Sequence, residues 1–176
     1  SKIVIDYYYM SCLIATTRFN TVTWEHYLNY KGVSPPCIYG SPVQLSSHIP
    51  SDQLMAVLEM NNDTNKIMGV GFIYTNLRMD KHCCIFKDEY RNYNRYIYRG
   101  PGWISREDID NDPELCALFL LLDIICFKGK GHLKRGQGIT IVPKYKLQVC
   151  SNSWGGVEKS LYPVFYNLSR RCTTQN

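Results

Sequence analysis

Four glycines alternate with basic side chains in one stretch of the chain, Lys128-Gly129-Lys130-Gly131-His132-Leu133-Lys134-Arg135-Gly136-Gln137-Gly138. Glycines let backbone N–H groups converge on an anion, while Lys and Arg add charge. Arg grips phosphate through two parallel donors, and Lys acts as a point charge. The charge is local. From Ile124 to Val157 there is no acidic residue, and Lys128, Lys130, Lys134, Arg135, Lys144 and Lys146 carry +6. The whole chain is only +5, so everything else sums to −1. A basic patch on an otherwise balanced surface is the footprint of an anionic partner. The spacing differs from GxxxxGK[ST], and the stretch would leave a helix at its C-terminus, where the dipole disfavours anions. Side chains would therefore supply the attraction. The competing reading is a solvated basic loop that closes the helix end.

A second group sets cations among aromatic rings. Arg91, Arg95 and Arg99 interleave with Tyr90, Tyr93, Tyr96 and Tyr98, and Trp103 follows. Aromatic faces stack unpaired bases, and arginine holds the backbone between them. A tyrosine-rich edge strand would give the same pattern. Signals for catalysis are weaker. His132 has no evident partner, and no cysteine sits in a nucleophile motif. Asp108, Asp110, Asp112 and Glu114 could hold a divalent cation, but a helix N-terminus collects the same charges. The reading is non-enzymatic, with no metal and no cofactor.

A length of 176 residues suits one domain spanning residues 1–176. No CxxC pair or zinc spacing organises the eight cysteines, which reads as reduced thiols in a reducing compartment. The start of the chain lacks the pattern of a signal peptide. The longest apolar run, Leu115 to Phe127, is broken by Asp123 and is too short to span a bilayer. The expectation is an intracellular protein of cytoplasm or nucleus that does not enter membranes.

The elements that must position these groups can be read along the chain. Ile3 to Phe19 suggests one or two strands. Thr21 or Thr23 could cap a helix from Val22 to Tyr30 stopped by Gly32. Val33 to Pro50 reads as loop. Leu54–Met60 and Lys66–Thr75 form a hairpin about the turn Asn61–Asn65. Gly69 and Gly71 share one face of the return strand and mark close approach or, more simply, a sharp bend. Cys83–Phe86 and Asn94–Arg99 suggest short strands. Ser105 and Asp108 resemble a capping box. Asp112, Pro113 and Glu114 open a helix to Lys128 that Gly129 closes. It is apolar nearly all round, as a central core helix would be. Strands are expected at Ile139–Val142 and Tyr145–Cys150, a loop at Ser151–Val157, and a last helix at Leu161–Arg171.

Between Ser41 and Thr75 the order is Pro42, Ile49-Pro50-Ser51-Asp52, the strand Leu54–Met60, a polar turn, and Lys66-Ile-Met-Gly-Val-Gly-Phe-Ile. This is similar to the central hairpin of PUA-like barrels, above all the EVE and YTH branches. Tyr96 to Arg106, with Trp103-Ile-Ser-Arg, resembles a later barrel strand. The likeness covers about a third of the chain. It implies an α+β fold with a small mixed or antiparallel barrel, or curved sheet, and about three or four flanking helices. It also implies nucleic-acid binding, RNA or DNA, often with a base in an aromatic cage. The candidate contacts are Lys128, Lys130, His132, Lys134, Arg135 and Arg99, with Tyr98 and Trp103 as stacking rings. Separately, Cys126 to Thr140 resembles segments in proteins of large DNA viruses. That implies an alternative, a virion or minor capsid component whose basic loop grips an acidic protein surface.

Overall fold

The computed structural model describes residues 12–31, 36–78, 83–155 and 160–173. The expectations for Ile3 to Ser11, Gly32 to Pro35 and Gly156–Val157 lie outside them. Strand β1 (Leu13–Phe19) leads into helix α1 (Thr21–Lys31), followed by β2 (Cys37–Ser41), β3 (Leu54–Asn61) and β4 (Lys66–Tyr74). A 3-10 segment (Asp88–Asn94), β5 (Tyr96–Gly100), β6 (Gly102–Ser105) and α2 (Arg106–Asp110) come next. Then α3 (Pro113–Phe127), β7 (Thr140–Ile141), α4 (Lys144–Gly155) and α5 (Leu161–Thr173) complete the described chain.

Five strands pair in the order β6-β4-β3-β1-β7, and β2 pairs with β5 as a separate ribbon. Within the large sheet β1 and β3 run parallel, and the other pairs are antiparallel. The sheet is mixed and open, with β6 and β7 as its edges, so the described strands close no barrel. Among the described residues five α-helices accompany it, more than the expected three or four, because α4 replaces an expected strand.

Period-two alternation sends the two halves of β3 to opposite layers. Ala56, Leu58 and Met60 join a core with Ile14, Val70, Phe72 and the inner faces of α3, α4 and α5. Met55 and Val57 join a second core with Phe19 and Tyr27 and with the β2–β5 ribbon. Burial on both faces explains why β3 reads as a continuous apolar run. Glu59 interrupts it on the ribbon side and is fully buried.

Local signals account for most element ends. Asn20, rather than Thr21 or Thr23, caps α1. Its Oδ1 accepts from Thr23 N at 2.8 Å, and Thr23 Oγ1 accepts from Asn20 N at 3.0 Å, a reciprocal box. Ser105 Oγ accepts from Asp108 N at 3.1 Å and starts α2. Asp112 Oδ1 accepts from Glu114 N and Leu115 N to start α3. Gly129, at φ +78, takes the left-handed turn that ends it.

Four expectations are corrected. β2 lies in the segment read as loop. Cys83–Phe86 forms no strand. Residues 145–150 are helical, because their burial (Lys146, Leu147, Cys150 and Ser151 inward) follows a helical period, although Tyr145, Leu147 and Val149 alternate like a strand. The same helix takes in Ser151 to Gly155, read as loop.

Candidate functional site

The basic segment links α3 to β7 and wraps a side chain absent from the sequence-based candidates, Arg18 on β1. Arg18 Nη1 donates to Leu133 O at 2.9 Å and Thr16 Oγ1 at 3.1 Å. Arg18 Nη2 donates to Gly138 O at 2.7 Å and Thr140 Oγ1 at 2.9 Å. A Cβ on Gly136 would strike this guanidinium, and Gly138 sits at φ +71. These two glycines are therefore required by close approach and by backbone conformation. The loop turns carbonyls inward toward a cation, the reverse of an anion cradle. Two of its central amides are engaged elsewhere, Leu133 N on Cys126 O and Lys134 N on His132 Nδ1. Burial is the main cause that lowers the Arg18 guanidinium to about 10, so it stays charged at neutral pH.

A cleft of about 200 Å³ opens beside this clamp, lined among others by Arg18, Asn20, Asn62, Tyr90, Tyr93 and Lys134. It lies where the parallel strands β1 and β3 end, a place where open sheets with helical crossovers commonly bind ligands. Asn62 Nδ2 donates to Lys134 O at 3.0 Å, and Lys134 Nζ donates to Asn65 Oδ1 at 2.7 Å. The hairpin turn thus holds the basic loop in place. Tyr90 hydroxyl accepts from Asn20 Nδ2 at 3.1 Å. Its ring lies 6.4 Å from that of Tyr93, which meets Phe86 at 5.7 Å. Among the described residues, Arg18 Nε and Asn62 Oδ1 are buried without a hydrogen-bond partner. One donor and one acceptor, on two residues that line the cleft, thus stand unpaired, and unpaired buried groups of this kind call for an explanation such as an ordered water.

The structure divides the sequence-based candidates. Lys128, Lys130 and Arg135 are exposed, and His132 and Lys134 are half-buried. Arg99 Nη2 donates to Cys83 Sγ at 3.0 Å. Tyr98 is not presented to a ligand. It is 2% exposed, and its hydroxyl accepts from Leu45 N at 2.9 Å. Trp103 stands on β6, four strand steps from β7, roughly 19 Å at the usual strand spacing. It does not share a site with the basic loop. Instead, Lys134 and Gly136 meet Tyr90 and Tyr93, so part of each sequence constellation reaches the cleft. Arg18, Asn20 and Asn62 had one sequence signal: polar residues where apolar strands end.

Trp103 belongs to a second polar centre. Glu59 Oε1 accepts from Tyr27 hydroxyl at 3.0 Å, Tyr39 hydroxyl at 2.5 Å and Trp103 Nε1 at 2.7 Å. Lys31 Nζ lies over the Trp103 ring, a cation–π contact. Glu59 Oε2 and Lys31 Nζ have no hydrogen-bond partner among the described residues. Burial raises the Glu59 carboxyl above its ordinary range, opposed first by the Tyr39 hydrogen bond and then by Lys31. Burial lowers the Lys31 amine to about 8. Gly69 and Gly71 face this centre. A Cβ on Gly71 would strike Tyr39 hydroxyl and Cys37 Sγ, and one on Gly69 would meet Ile104 O and Glu59. Close approach, more than a bend, explains the pair, although the β3–β4 register shifts between Leu58 and Met60.

The acidic cluster is structural. Asp110 and Asp123 pair with buried Arg106 at 2.8 and 2.9 Å, and Asp108 and Asp112 serve caps. Among the described residues no group of three or more His, Cys, Asp or Glu side chains could hold a metal, and no helix is long and apolar enough to cross a membrane. All eight cysteines are free thiols. Comparison with known proteins finds no matching family model, curated protein or solved structure.

Proposed function

We propose that this chain binds nucleic acid without catalysing a reaction, through the cleft between the basic loop and the 3-10 segment. The observation that carries the reading is that one cleft gathers Lys134, Arg18 and the rings of Tyr90 and Tyr93. Exposed Lys128, Lys130 and Arg135 lie on the same loop as Lys134 and would hold phosphates. The volume falls below the roughly 300–1,000 Å³ of drug-sized ligand pockets, so the cleft would admit one planar group from a flexible strand. Tyr90 and Tyr93 replace Tyr98 and Trp103 as stacking candidates. The likeness of the β3–β4 hairpin to PUA-like proteins supports the same ligand class.

Fluorescence anisotropy with single- and double-stranded RNA and DNA at two salt concentrations tests the proposal. Single strands should bind more tightly at low salt, with log K falling by about 0.7 per neutralised phosphate for each tenfold rise in salt. Lys134→Ala with Arg135→Ala should flatten that slope. Tyr90→Ala should weaken binding by about tenfold, the scale of one lost base stack, with the slope unchanged. No binding at low salt, or binding indifferent to these substitutions, would sink the proposal.

A further inference from the structure

Helix α3 is apolar on every side, yet only one side meets the core. Leu115, Leu118, Phe119, Leu122 and Cys126 pack inward. The opposite stripe holds Leu120, 55% exposed, and Ile124, 50% exposed, with exposed Ala117 one turn before them. Helix α4 runs antiparallel beside it: Trp154 Nε1 donates to Glu114 O at 3.0 Å near the start of α3, while Lys146 lies by Gly131 beyond its end. From α4, Tyr145 and Val149 add two more exposed apolar side chains, 64% and 55% exposed. A helix apolar all round is ordinarily covered all round, and exposed apolar side chains on two packed helices mark a candidate interaction site.

The charges at the two ends of the stripe identify what covers it. Glu114 stands in the first turn of α3, and Lys128 follows the last. Both are exposed, and each lies seven positions from Leu121. If two copies of α3 cross antiparallel about Leu121, Glu114 of each copy meets Lys128 of the other. That register places the small Ala117 one position out of step with Ile124 of the other copy, and Leu120 two positions out of step with its own equivalent. Charge complementarity about Leu121 and the exposed apolar stripe thus fall within two positions of one register, close to the self-matching a two-fold interface requires. An anionic bilayer would find Glu114 unfavourable, and an acidic peptide would use only the Lys128 end. We infer that the outer face of α3, widened by Tyr145 and Val149 of α4, is the interface of a symmetric homodimer.

Sedimentation velocity of the full chain over a concentration series tests this. The wild type should sediment at twice its 20.4 kDa. Glu114→Lys and Lys128→Glu should each weaken the dimer by about tenfold, since symmetry makes every substitution count twice. The double swap should restore it, which a merely structural effect would not do. Leu120→Arg, on the exposed stripe, should give a monomer with an unchanged circular-dichroism melt. Retained nucleic-acid binding by that variant would separate this inference from the proposed function. A monomeric wild type, or a double swap that fails to recover association, overturns it. So does a monomeric wild type whose stripe instead floats the chain with phosphatidylserine vesicles.

Discussion

Arg18 and Glu59 set the same physical problem on adjacent, parallel strands and meet it differently. Burying an ion is costly unless polar partners replace water. Arg18 is a cation held by loop carbonyls and threonine hydroxyls. Glu59 is a carboxyl group, raised by burial, whose Oε1 accepts from two phenols and an indole. Each centre contains one unpaired donor and one unpaired acceptor. The difference is access. Arg18 borders a cleft, while Glu59 is closed in by Tyr39, Trp103 and two glycines that allow these groups to approach. In the open centre the unpaired atoms belong to residues that line the cleft. A closed one uses its polar network to fix the packing of the ribbon on the sheet.

Removing the closed centre should have the largest effect. Glu59→Ala strands three buried donors and leaves a void, so unfolding free energy should drop by about 3–5 kcal/mol. Glu59→Gln keeps an acceptor for those donors and should cost much less. Urea denaturation of both variants measures this. Equal losses would mean that the hydrogen bonds are not what the carboxylate supplies. Gly71→Ala attacks the same centre sterically. Its Cβ would overlap Tyr39 and Cys37, with a cost of about 1–3 kcal/mol typical of overpacking. A neutral Gly71→Ala would show that the centre is loosely packed and no more closed than the cleft.

Arg18→Met should cost less than the same loss at a closed site, about 1–2 kcal/mol, because water in the cleft can reach the carbonyls it abandons. It should also speed amide exchange across residues 133–138 and weaken nucleic-acid binding. Destabilisation as large as that of Glu59→Ala would make Arg18 a purely structural clamp and remove the contrast.

The parts legible in the sequence were those with local causes. Asp112-Pro113-Glu114 specifies a helix start within three residues, and Asn61–Asn65 specifies a turn within five. Glu59 was not legible. Within Leu54–Met60 it occupies a position that alternation assigns to the core, and its partners Tyr27, Tyr39 and Trp103 come from three distant segments. The glycine pair pointed at it, but glycine in a strand also signals a bend. Arg18 failed for the same reason. Nothing in Thr16-Thr17-Arg18-Phe19 indicates that a loop more than a hundred residues later closes around it. The loop's composition suggested an anion cradle because sequence gives residue types, whereas the direction of its carbonyls depends on what it packs against. Residues 145–150 show a different failure, in which a strand-like period in Tyr145, Leu147 and Val149 conceals a helix.

The smallest expected effect is the titration of Lys31, which tests how closed the Glu59 centre is. Burial lowers its amine to about 8, from an ordinary 10.5. Between those values the unfolded chain binds a proton that the folded chain has released. Stability from this group therefore rises as pH increases through that window. Buried thiols act in the opposite direction. Cys12 and Cys126 are pushed up to about 12 and Cys150 to about 11 by burial, from an ordinary 9.0. The unfolded chain loses those protons first, so stability falls once pH passes the ordinary thiol value. The wild-type curve combines both trends, and Lys31→Met isolates one. The stability difference, wild type minus Lys31→Met, should climb from pH 8 to pH 10 under reducing conditions. The climb should be modest, because solvent partly screens a half-buried amine. A flat difference would mean that water reaches the amine over Trp103, and the Glu59 centre would then be as open as the cleft beside Arg18.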